Sequence, residues 1–350
     1  MIKEHNQNFS PRELPLPDHY DPKSLTHVWR VLYQERANDA NTWVVEHNIQ
    51  PSAYDKKKVG LILVDVQNTF CLPEFELFVA GQSGDAAIED NRRLCEFIYR
   101  NLDAITHITV TLDTHRAMQI FHPIYLIDDQ GNHPDPLTLI TYNDVRVGRW
   151  RFNPNISESL GISAEEGQQH LLHYTNQLMR SQKYDLTIWP YHAMQGGIGN
   201  ALVSAVEEAV FFHAVARQSQ TDFIIKGEYQ NTENYSVIGP EVLEDANGEP
   251  IAKKDMHLFK KVEEFDAVVI AGQAKSHCVA WTISDLLDQI NDQDPKLVTK
   301  VYLLEDCTSP VVVSDVVDYT DQADEAFLHF QQAGMNLVRS TEPISSWLGA

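Results

Sequence analysis

The chain has 350 residues, of which 43% are hydrophobic and 22% are charged, as in an ordinary globular protein. Its 50 acidic residues outnumber its 27 basic residues, and the formal net charge is −23. So acidic a surface repels phosphate groups, which excludes general nucleic-acid binding and a polybasic membrane contact. The 4 cysteines have no paired spacing and predict neither a disulfide framework nor a zinc knuckle. Without a long apolar run or a signal-peptide core, we expect a cytoplasmic protein.

Short apolar runs rich in β-branched residues recur along the chain and predict strands. Their nearly continuous apolar character is typical of strands that are covered on both faces of a parallel sheet. The second run differs, because its threonines alternate with apolar residues. The predicted strands are residues 59–64, 105–112, 223–225, 267–271, 301–304 and 335–338.

Helical periodicity separates most of these strands. The predicted helices are residues 88–102, 201–215, 279–290 and 324–332. Strands that alternate with helices predict an α/β fold, here a six-stranded, mostly parallel sheet with helices on both faces. One core can serve all of these strands, so we predict one domain over residues 58–350.

Two segments do not fit the alternation. Residues 1–57 form an arm that begins Pro-rich and continues into predicted helices around residues 25–35 and 41–48. Residues 124–186 form an insert of turn-rich pieces with a helix predicted over residues 164–180. A structureless loop of this length is uncommon in a compact domain, so we expect the insert to pack on the main domain.

Polar residues follow several of the predicted strands, at the sheet edge where open α/β folds bind ligands. Asp65 follows the first strand, Lys226 the third, and Cys278 the fourth at the start of a helical pattern. A thiol at a helix start has a lowered pKa and is a candidate nucleophile, with Asp65 as its general base. The turn before Cys278 predicts backbone amides for an oxyanion hole. Each residue alone would more often be structural, but their shared edge suggests one site.

A metal site is predicted near the same edge. Asp113 and His115 leave the second strand as alternate residues, and His192 precedes a Gly-rich loop. A carboxylate and two imidazoles suit zinc or iron(II), and manganese less well. His122 lies near Asp113 in the sequence and is a further candidate ligand. His213 and His277 could compete as ligands, although on helices such residues more often have packing or solvent roles.

Five motifs, in this order, resemble those of the nicotinamidase branch of the isochorismatase-like cysteine hydrolases. They are VDVQNTFC at 64–71, DTH at 113–115, WPYH at 189–192, KG at 226–227 with ENYS at 233–236, and AGQAKSHCV at 271–279. The resemblance implies a catalytic triad of Asp65, Lys226 and Cys278. It also implies a divalent metal on Asp113, His115 and His192, which holds the ring nitrogen of the substrate.

The resemblance further implies how the substrate is held. A cis peptide between Gln273 and Ala274 would aim the backbone amides of Ala274 and Cys278 at the carbonyl oxygen. Phe70 and Trp189 match positions that sandwich the aromatic ring, and Tyr235 lies in a matching motif. Because the insert falls between the DTH motif and His192, we expect it to cover the mouth of the pocket or to extend a subunit contact.

The function that these expectations predict is metal-dependent amide hydrolysis. Nicotinamide and water would give nicotinate and ammonia through a thioester on Cys278, with zinc as the first choice of metal and iron or manganese as alternatives. The expected partners are a small carboxamide and a second copy of the chain in a homo-oligomer. Two alternatives stay open: a related cysteine hydrolase of another small amide, and a non-catalytic ligand-binding protein. The retained Asp, Lys and Cys disfavour the second alternative.

Overall fold

The computed structural model describes residues 12–181, 184–314 and 316–347, and its centre is a six-stranded sheet. Every strand pair in this sheet is parallel, which is a simpler arrangement than the mostly parallel sheet predicted. The predicted strands are confirmed, with ends that shift by one or two residues. In chain order they are β1 (Val59–Val64), β2 (His107–Asp113), β3 (Asp222–Lys226), β4 (Ala267–Gly272), β5 (Val301–Leu304) and β6 (Asn336–Val338).

The strand order brings the segments that follow β1 and β4 together at one edge of the sheet. Across the sheet the strands run β6-β5-β4-β1-β2-β3, so β1 and β4 are neighbours and the order reverses between them. Open α/β sheets bind ligands beyond the carboxyl ends of their strands at such a reversal. Val64 at the end of β1 pairs with Gly272 at the end of β4, so the residues that follow both strands meet there.

Helices cover both faces of the sheet, as predicted. The longer ones are α1 (Tyr33–His47), α2 (Ala86–Arg100), α3 (Ala164–Ser181), α4 (Ser204–Arg217), α5 (His257–Glu264), α6 (Ala280–Gln293) and α7 (Thr320–Gln332). The shorter ones are Asn68–Cys71, Tyr142–Arg146, Ser157–Leu160 and Ile344–Trp347.

Alternate residues of β1 show how the two faces are filled. Leu61 and Leu63 belong to one hydrophobic cluster with the buried residues of α2 and α4. Ile62 and Val64 belong to a second cluster with those of α5, α6 and α7. Side chains of a strand point alternately to opposite faces, so a strand buried on both faces needs an unbroken apolar run.

The prediction that both faces are covered is wrong for β3. Phe223 and Ile225 are 53% and 51% exposed, although the pattern of the segment is as apolar as that of the other strands. The reason is that β3 is the last strand of the sheet, beyond the helices that cover β1 and β4. Periodicity alone does not distinguish an edge strand from a central one.

The helices of the arm also differ from the prediction. A short 3₁₀ helix, Pro22–Thr26, is followed by the single helix α1, in place of helices around residues 25–35 and 41–48. Asn38 and Asp39 of the predicted gap lie on the solvent face of α1, whereas Arg36 pairs with Glu208 of α4, Ala40 is buried and α1 packs on α4. The boundary between arm and domain at residue 57 stays a prediction, and residues 1–11 of the arm lie outside the described residues.

The insert packs on the main domain. Leu126–Ile127 pairs with Arg151–Phe152, and Leu139–Ile140 pairs with Leu186–Thr187. Helix α3 within it places Leu171 and Tyr174 in the hydrophobic cluster that also contains Ile62. The sequence did not predict α5, an eight-residue helix between β3 and β4. None of the helices described here has the length and apolar character needed to cross a membrane.

A buried imidazole on α4 should make the stability of the fold depend on pH. His213 is fully buried with Nε2 2.9 Å from the carbonyl oxygen of Ile105, and burial lowers its pKa to about 3. In the unfolded chain this imidazole takes up a proton near pH 6.5, whereas in the folded protein it does so only near pH 3. As the pH falls from about 6.5 toward 3, the free energy of unfolding should therefore decrease by up to about 1.4 kcal/mol per pH unit. Urea denaturation at pH 7.5 and 5.5 measures the effect. The His213→Gln variant should lose less stability between the two pH values than the unaltered protein, and an equal loss would contradict the prediction.

Candidate active site

The structure brings Asp65, Lys226 and Cys278 together at the strand-order reversal. The ammonium nitrogen of Lys226 lies 3.0 Å from Oδ2 of Asp65 and 3.6 Å from Sγ of Cys278. The three residues are 0%, 4% and 7% exposed. A carboxylate, an ammonium group and a thiol that are buried within contact distance can exchange protons while bulk water is kept away.

Asp65 is held by its own backbone and by a threonine. Its φ of +48° lies in the left-handed region, which aspartate tolerates better than most residues and which often marks functional sites. The hydroxyl of Thr111 donates to Oδ1 of Asp65 at 2.5 Å and accepts from the Asp65 amide at 3.1 Å. Sequence reasoning missed Thr111, although the alternating threonines of β2 were the available signal.

The loop that carries Cys278 begins with a close backbone approach. Gly272 has a φ of +123°, and a Cβ atom there would lie 2.0 Å from the carbonyl oxygen of Val64, so only glycine fits. The peptide bond between Gln273 and Ala274 is cis, in line with the sequence expectation. One turn of π-helix, Lys275–Val279, then carries Cys278 and leads into α6.

The ionisation of the three side chains departs from the sequence expectation of a low-pKa thiol. Burial raises the pKa of Cys278 above its usual value, and the nearby ammonium of Lys226 only partly opposes this. Burial also raises the pKa of Asp65. Burial alone would lower the pKa of Lys226, but Asp113 and Asp65 outweigh it and hold that pKa high. Cys278 therefore rests as a thiol beside a charged lysine and needs a base when it reacts.

The predicted metal ligands form a compact group beside this triad. One ligand atom from each of Asp113, His115 and His192 lies within 4.8 Å of the others, and all three residues are buried. Nε2 of His115 is 2.9 Å from Oδ2 of Asp113, and Nε2 of His192 is 3.9 Å from the same oxygen. Oδ1 of Asp113 lies 2.9 Å from the Lys226 ammonium, which joins the group to the triad.

Both histidines are oriented as metal ligands usually are. Nδ1 of His115 lies 3.3 Å from the carbonyl oxygen of Gly227, and Nδ1 of His192 lies 2.8 Å from that of Pro190. A carbonyl contact at Nδ1, with Nε2 turned toward Asp113, is the orientation in which ligating histidines are usually held. A Cβ atom on Gly227 would lie 2.7 Å from Oδ1 of Asp113, so the absence of a side chain there leaves space at the group.

His122 adds a third imidazole whose Nδ1 also contacts a backbone carbonyl. Its Nδ1 lies 3.2 Å from the carbonyl oxygen of Ala117, and its buried Nε2 has no hydrogen-bond partner among the described residues. The ring centre is 5.9 Å from that of His115 and 6.0 Å from that of His192. Burial lowers the pKa of His122 to about 4, which keeps the ring neutral. His122 stands beside the three-residue group but is not part of it.

The donor set fits a divalent ion. Burial alone would raise the pKa of Asp113, but His115 and Lys226 outweigh it and keep the carboxylate charged. One charged carboxylate with two imidazoles matches the oxygen and nitrogen ligands of zinc and iron(II) sites. His213 and His277, the other candidate ligands, lie outside the group.

A cavity of about 660 Å³ opens onto both groups. Cys278, Asp113 and His192 line it, and so does Ala274 of the predicted oxyanion hole. The residues predicted to bind substrate also line it: Phe70, Trp189 and Tyr235. Nε1 of Trp189 donates to the hydroxyl of Tyr235 at 3.0 Å, which fixes two aromatic rings of the wall relative to each other.

Glu233 is a buried acid of the cavity wall for which sequence reasoning gave no role. Its Oε2 has no hydrogen-bond partner among the described residues, and burial raises its pKa well above the usual value. A neutral carboxyl can donate a hydrogen bond into the site, whereas a carboxylate can only accept one. The ENYS motif located this residue, but burial became visible only in the structure.

No protein-family model and no curated protein matches the chain. The solved structures that it resembles include nicotinamidases and related amidases. The nicotinamidase/pyrazinamidase of Acinetobacter baumanii is 19% identical, with 82% of this chain and 98% of that chain covered and a TM-score of 0.47. The yeast nicotinamidase is 21% identical, with 80% of this chain and 99% of that chain covered and a TM-score of 0.48. The N-carbamoylsarcosine amidase of Thermoplasma acidophilum is 13% identical, with 82% of this chain and 99% of that chain covered and a TM-score of 0.40. At these identities and TM-scores no side-chain role is taken from the solved structures, and roles are inferred from the geometry of this site.

Proposed function

We propose that this protein is a metal-assisted cysteine amidohydrolase of the isochorismatase-like type, acting on a carboxamide attached to a heteroaromatic ring. Nicotinamide is the simplest substrate of this class. The observation that supports the proposal is the position of Lys226, whose ammonium lies 3.0 Å from the Asp65 carboxylate and 3.6 Å from the Cys278 sulfur. A protein that only bound a ligand would have no need of a buried nucleophile with its own base.

In the first half of the reaction, Cys278 becomes acylated. Asp65 removes the thiol proton, and the charged Lys226 stabilises the thiolate as its sulfur attacks the amide carbon. The carbonyl oxygen takes up the negative charge, and the backbone amides of Ala274 and Cys278 are the donors proposed to stabilise it. Asp65 then passes its proton to the amide nitrogen, the carbon–nitrogen bond breaks, and ammonia leaves.

In the second half, water releases the acid. Asp65, again a carboxylate, takes a proton from a water molecule as the water oxygen attacks the thioester carbon. The carbon–sulfur bond breaks, the sulfur of Cys278 regains a proton from Asp65, and the carboxylic acid leaves. The balance is one amide and one water converted to one carboxylic acid and one ammonia.

Asp113, His115 and His192 are the residues that would hold a divalent ion. When bound, such an ion supplies a ligation point for the ring nitrogen of the substrate. The chain itself would orient the ring between Phe70 and Trp189, both of which line the cavity beside Cys278. Correct placement of the amide carbon beside the sulfur contributes to the rate by making the attack effectively unimolecular.

Removal of the metal is therefore expected to affect substrate binding more than the nucleophile. Treatment with a chelator should remove about one divalent ion per chain by elemental analysis. It should raise KM for nicotinamide by at least about tenfold and raise KM for benzamide, which lacks the ring nitrogen, much less. Neutral imidazoles are required for metal binding, so the ion should also be lost more easily as the pH falls through the histidine range.

The matched variants are His192→Ala, in the ligand group, and His329→Ala, on the exposed side of α7. The first should lower metal content and nicotinamide turnover together, and the second should change neither. Ammonia release from nicotinamide that is unaffected by complete removal of metal would contradict the metal-assisted part of the proposal. Failure of the metal-loaded protein to release ammonia from any of a panel of aromatic carboxamides would contradict the amidohydrolase itself.

A further inference from the structure

The cavity in front of Cys278 is much larger than the proposed reaction requires. Its volume is about 660 Å³, within the range of about 300–1,000 Å³ that is usual for sites that enclose drug-sized ligands. Nicotinamide is a single ring with one amide group and is far smaller than such ligands. A ring seated beside Cys278 and Asp113 would leave most of this space to water.

Apolar segments far apart in the sequence build the additional space. Residues 75–80 follow the short helix Asn68–Cys71 and contribute Phe75, Leu77 and Phe78 to the wall. Two further segments complete it. Pro136, Leu137 and Leu139 of the insert contribute one side, and the hairpin formed by Val312–Val313 and Val317–Asp318 contributes the other.

The rim of this space exposes apolar side chains to water. Leu139 and Val316 both line the cavity and are among the large apolar side chains of the chain that remain more than half exposed. Apolar surface beside a cavity is typical of a binding surface that a ligand covers. The insert and the hairpin, which carry these two residues, thus form a wall beyond the catalytic groups.

The charges of the wall limit the ligand further. Among the described residues that line the cavity, none is lysine or arginine, and the acids are Glu76, Asp113 and Glu233. Away from Asp113 and the proposed metal site, a carboxylate or phosphate on the ligand would have no lysine or arginine to pair with among the lining residues of residues 75–80, the insert and the hairpin. Burial of such an unpaired charge is unfavourable, so this outer part of the space disfavours anions.

We infer that the substrate is an uncharged aromatic carboxamide that carries a bulky apolar substituent, which fills the space between residues 75–80, the insert and the hairpin. This inference rests on the proposed function for its carboxamide and on the cavity for its substituent. The apolar substituent would contribute binding energy at a distance from the reacting carbon. The protein should accordingly prefer such amides to nicotinamide itself.

The test compares kcat/KM for nicotinamide with kcat/KM for nicotinamides that carry methyl, butyl, phenyl or carboxylate groups at ring positions away from the amide. Each buried carbon of the substituent should raise kcat/KM by about fourfold, so the best butyl derivative, with four such carbons, should gain about 250-fold. The carboxylate derivative should be a poorer substrate than nicotinamide. If no apolar derivative at any position exceeds nicotinamide, the inference is wrong.

A pair of variants locates the effect in the wall. Val313→Trp would fill part of the space, and Val147→Trp places the same side chain on an exposed site of the insert that does not line the cavity. The first should lower the ratio of kcat/KM between the butyl derivative and nicotinamide at least tenfold, and the second should leave that ratio unchanged. An unchanged ratio in a folded Val313→Trp protein would place the substituent elsewhere and overturn the inference.

Binding to the Cys278→Ala protein separates this inference from the proposed function. Calorimetric titration should show that the butyl derivative binds this variant more tightly than nicotinamide does. Tighter binding together with no turnover of any amide by the unaltered protein would refute the amidohydrolase and leave the assignment of the cavity in place. Turnover of nicotinamide without tighter binding or faster turnover of any apolar derivative would refute the assignment and leave the amidohydrolase in place.

Discussion

Replacement of Cys278 by alanine should lower the rate of amide hydrolysis by at least about a thousandfold, because covalent catalysis has no other path once the nucleophile is removed. The side chain is small and lies at the cavity surface, so the fold should be retained. Ammonia release under saturating substrate measures the effect, and circular dichroism with thermal unfolding checks the fold.

Cys95→Ala is the matched control for this substitution. Cys95 is a fully buried cysteine of α2 in one hydrophobic cluster, whereas Cys278 belongs to the other. This variant should lose stability, because it leaves a small cavity, but should keep kcat within about threefold when folded. Comparable activities of the Cys278→Ala and unaltered proteins would exclude Cys278 as the nucleophile.

Asp65→Asn should have the second largest effect, a loss of about a hundredfold to ten-thousandfold in kcat/KM. Asparagine has the same shape and can still accept the hydrogen bond of Thr111, but it cannot take a proton. The base matters here because burial raises the pKa of the Cys278 thiol, so little thiolate is present at rest. Asp321→Asn, on the exposed side of α7, should leave kcat/KM unchanged.

The pH profile provides a second measurement for Asp65. Burial raises the pKa of this carboxyl, and only the carboxylate form accepts the thiol proton. Activity should therefore fall as the pH drops through the raised pKa, above the usual aspartate range near 3.9. An acid limit of kcat/KM at the usual aspartate value, or the same pH profile in Asp65→Asn, would assign the base to another residue.

Much of the fold could be predicted because its strands are buried on both faces. An unbroken run such as VGLILV is typical of a strand covered on both faces of a parallel sheet, and the helices between such runs follow from the need for crossover connections. Where burial is not symmetric the prediction fails. The exposure of Phe223 and Ile225 depends on the position of β3 in the sheet, which is a matter of topology and not of local pattern.

The candidate site, like the fold, could be predicted from the sequence only in part. Asp65, Lys226 and Cys278 could be proposed from sequence because each follows a strand, and parallel strands end at one edge. The orienting groups could not be proposed in this way. Thr111 acts through a neighbouring strand, and the unpartnered oxygen of Glu233 is a property of burial. The sign of the Cys278 pKa shift was also wrong from sequence, since burial outweighs the effects of a helix start and a nearby cation.

The most direct test of the central claim, a covalent bond between Cys278 and the substrate carbon, uses an aldehyde in place of the amide. Nicotinaldehyde labelled with ¹³C at the carbonyl cannot lose ammonia, so attack by the thiolate stops at a thiohemiacetal in which that carbon is tetrahedral. We predict that its NMR signal moves from the carbonyl region to the region of a carbon bonded to oxygen and sulfur on addition of the protein, and that this does not happen with Cys278→Ala. An aldehyde that binds the unaltered protein but keeps its carbonyl signal would contradict the account.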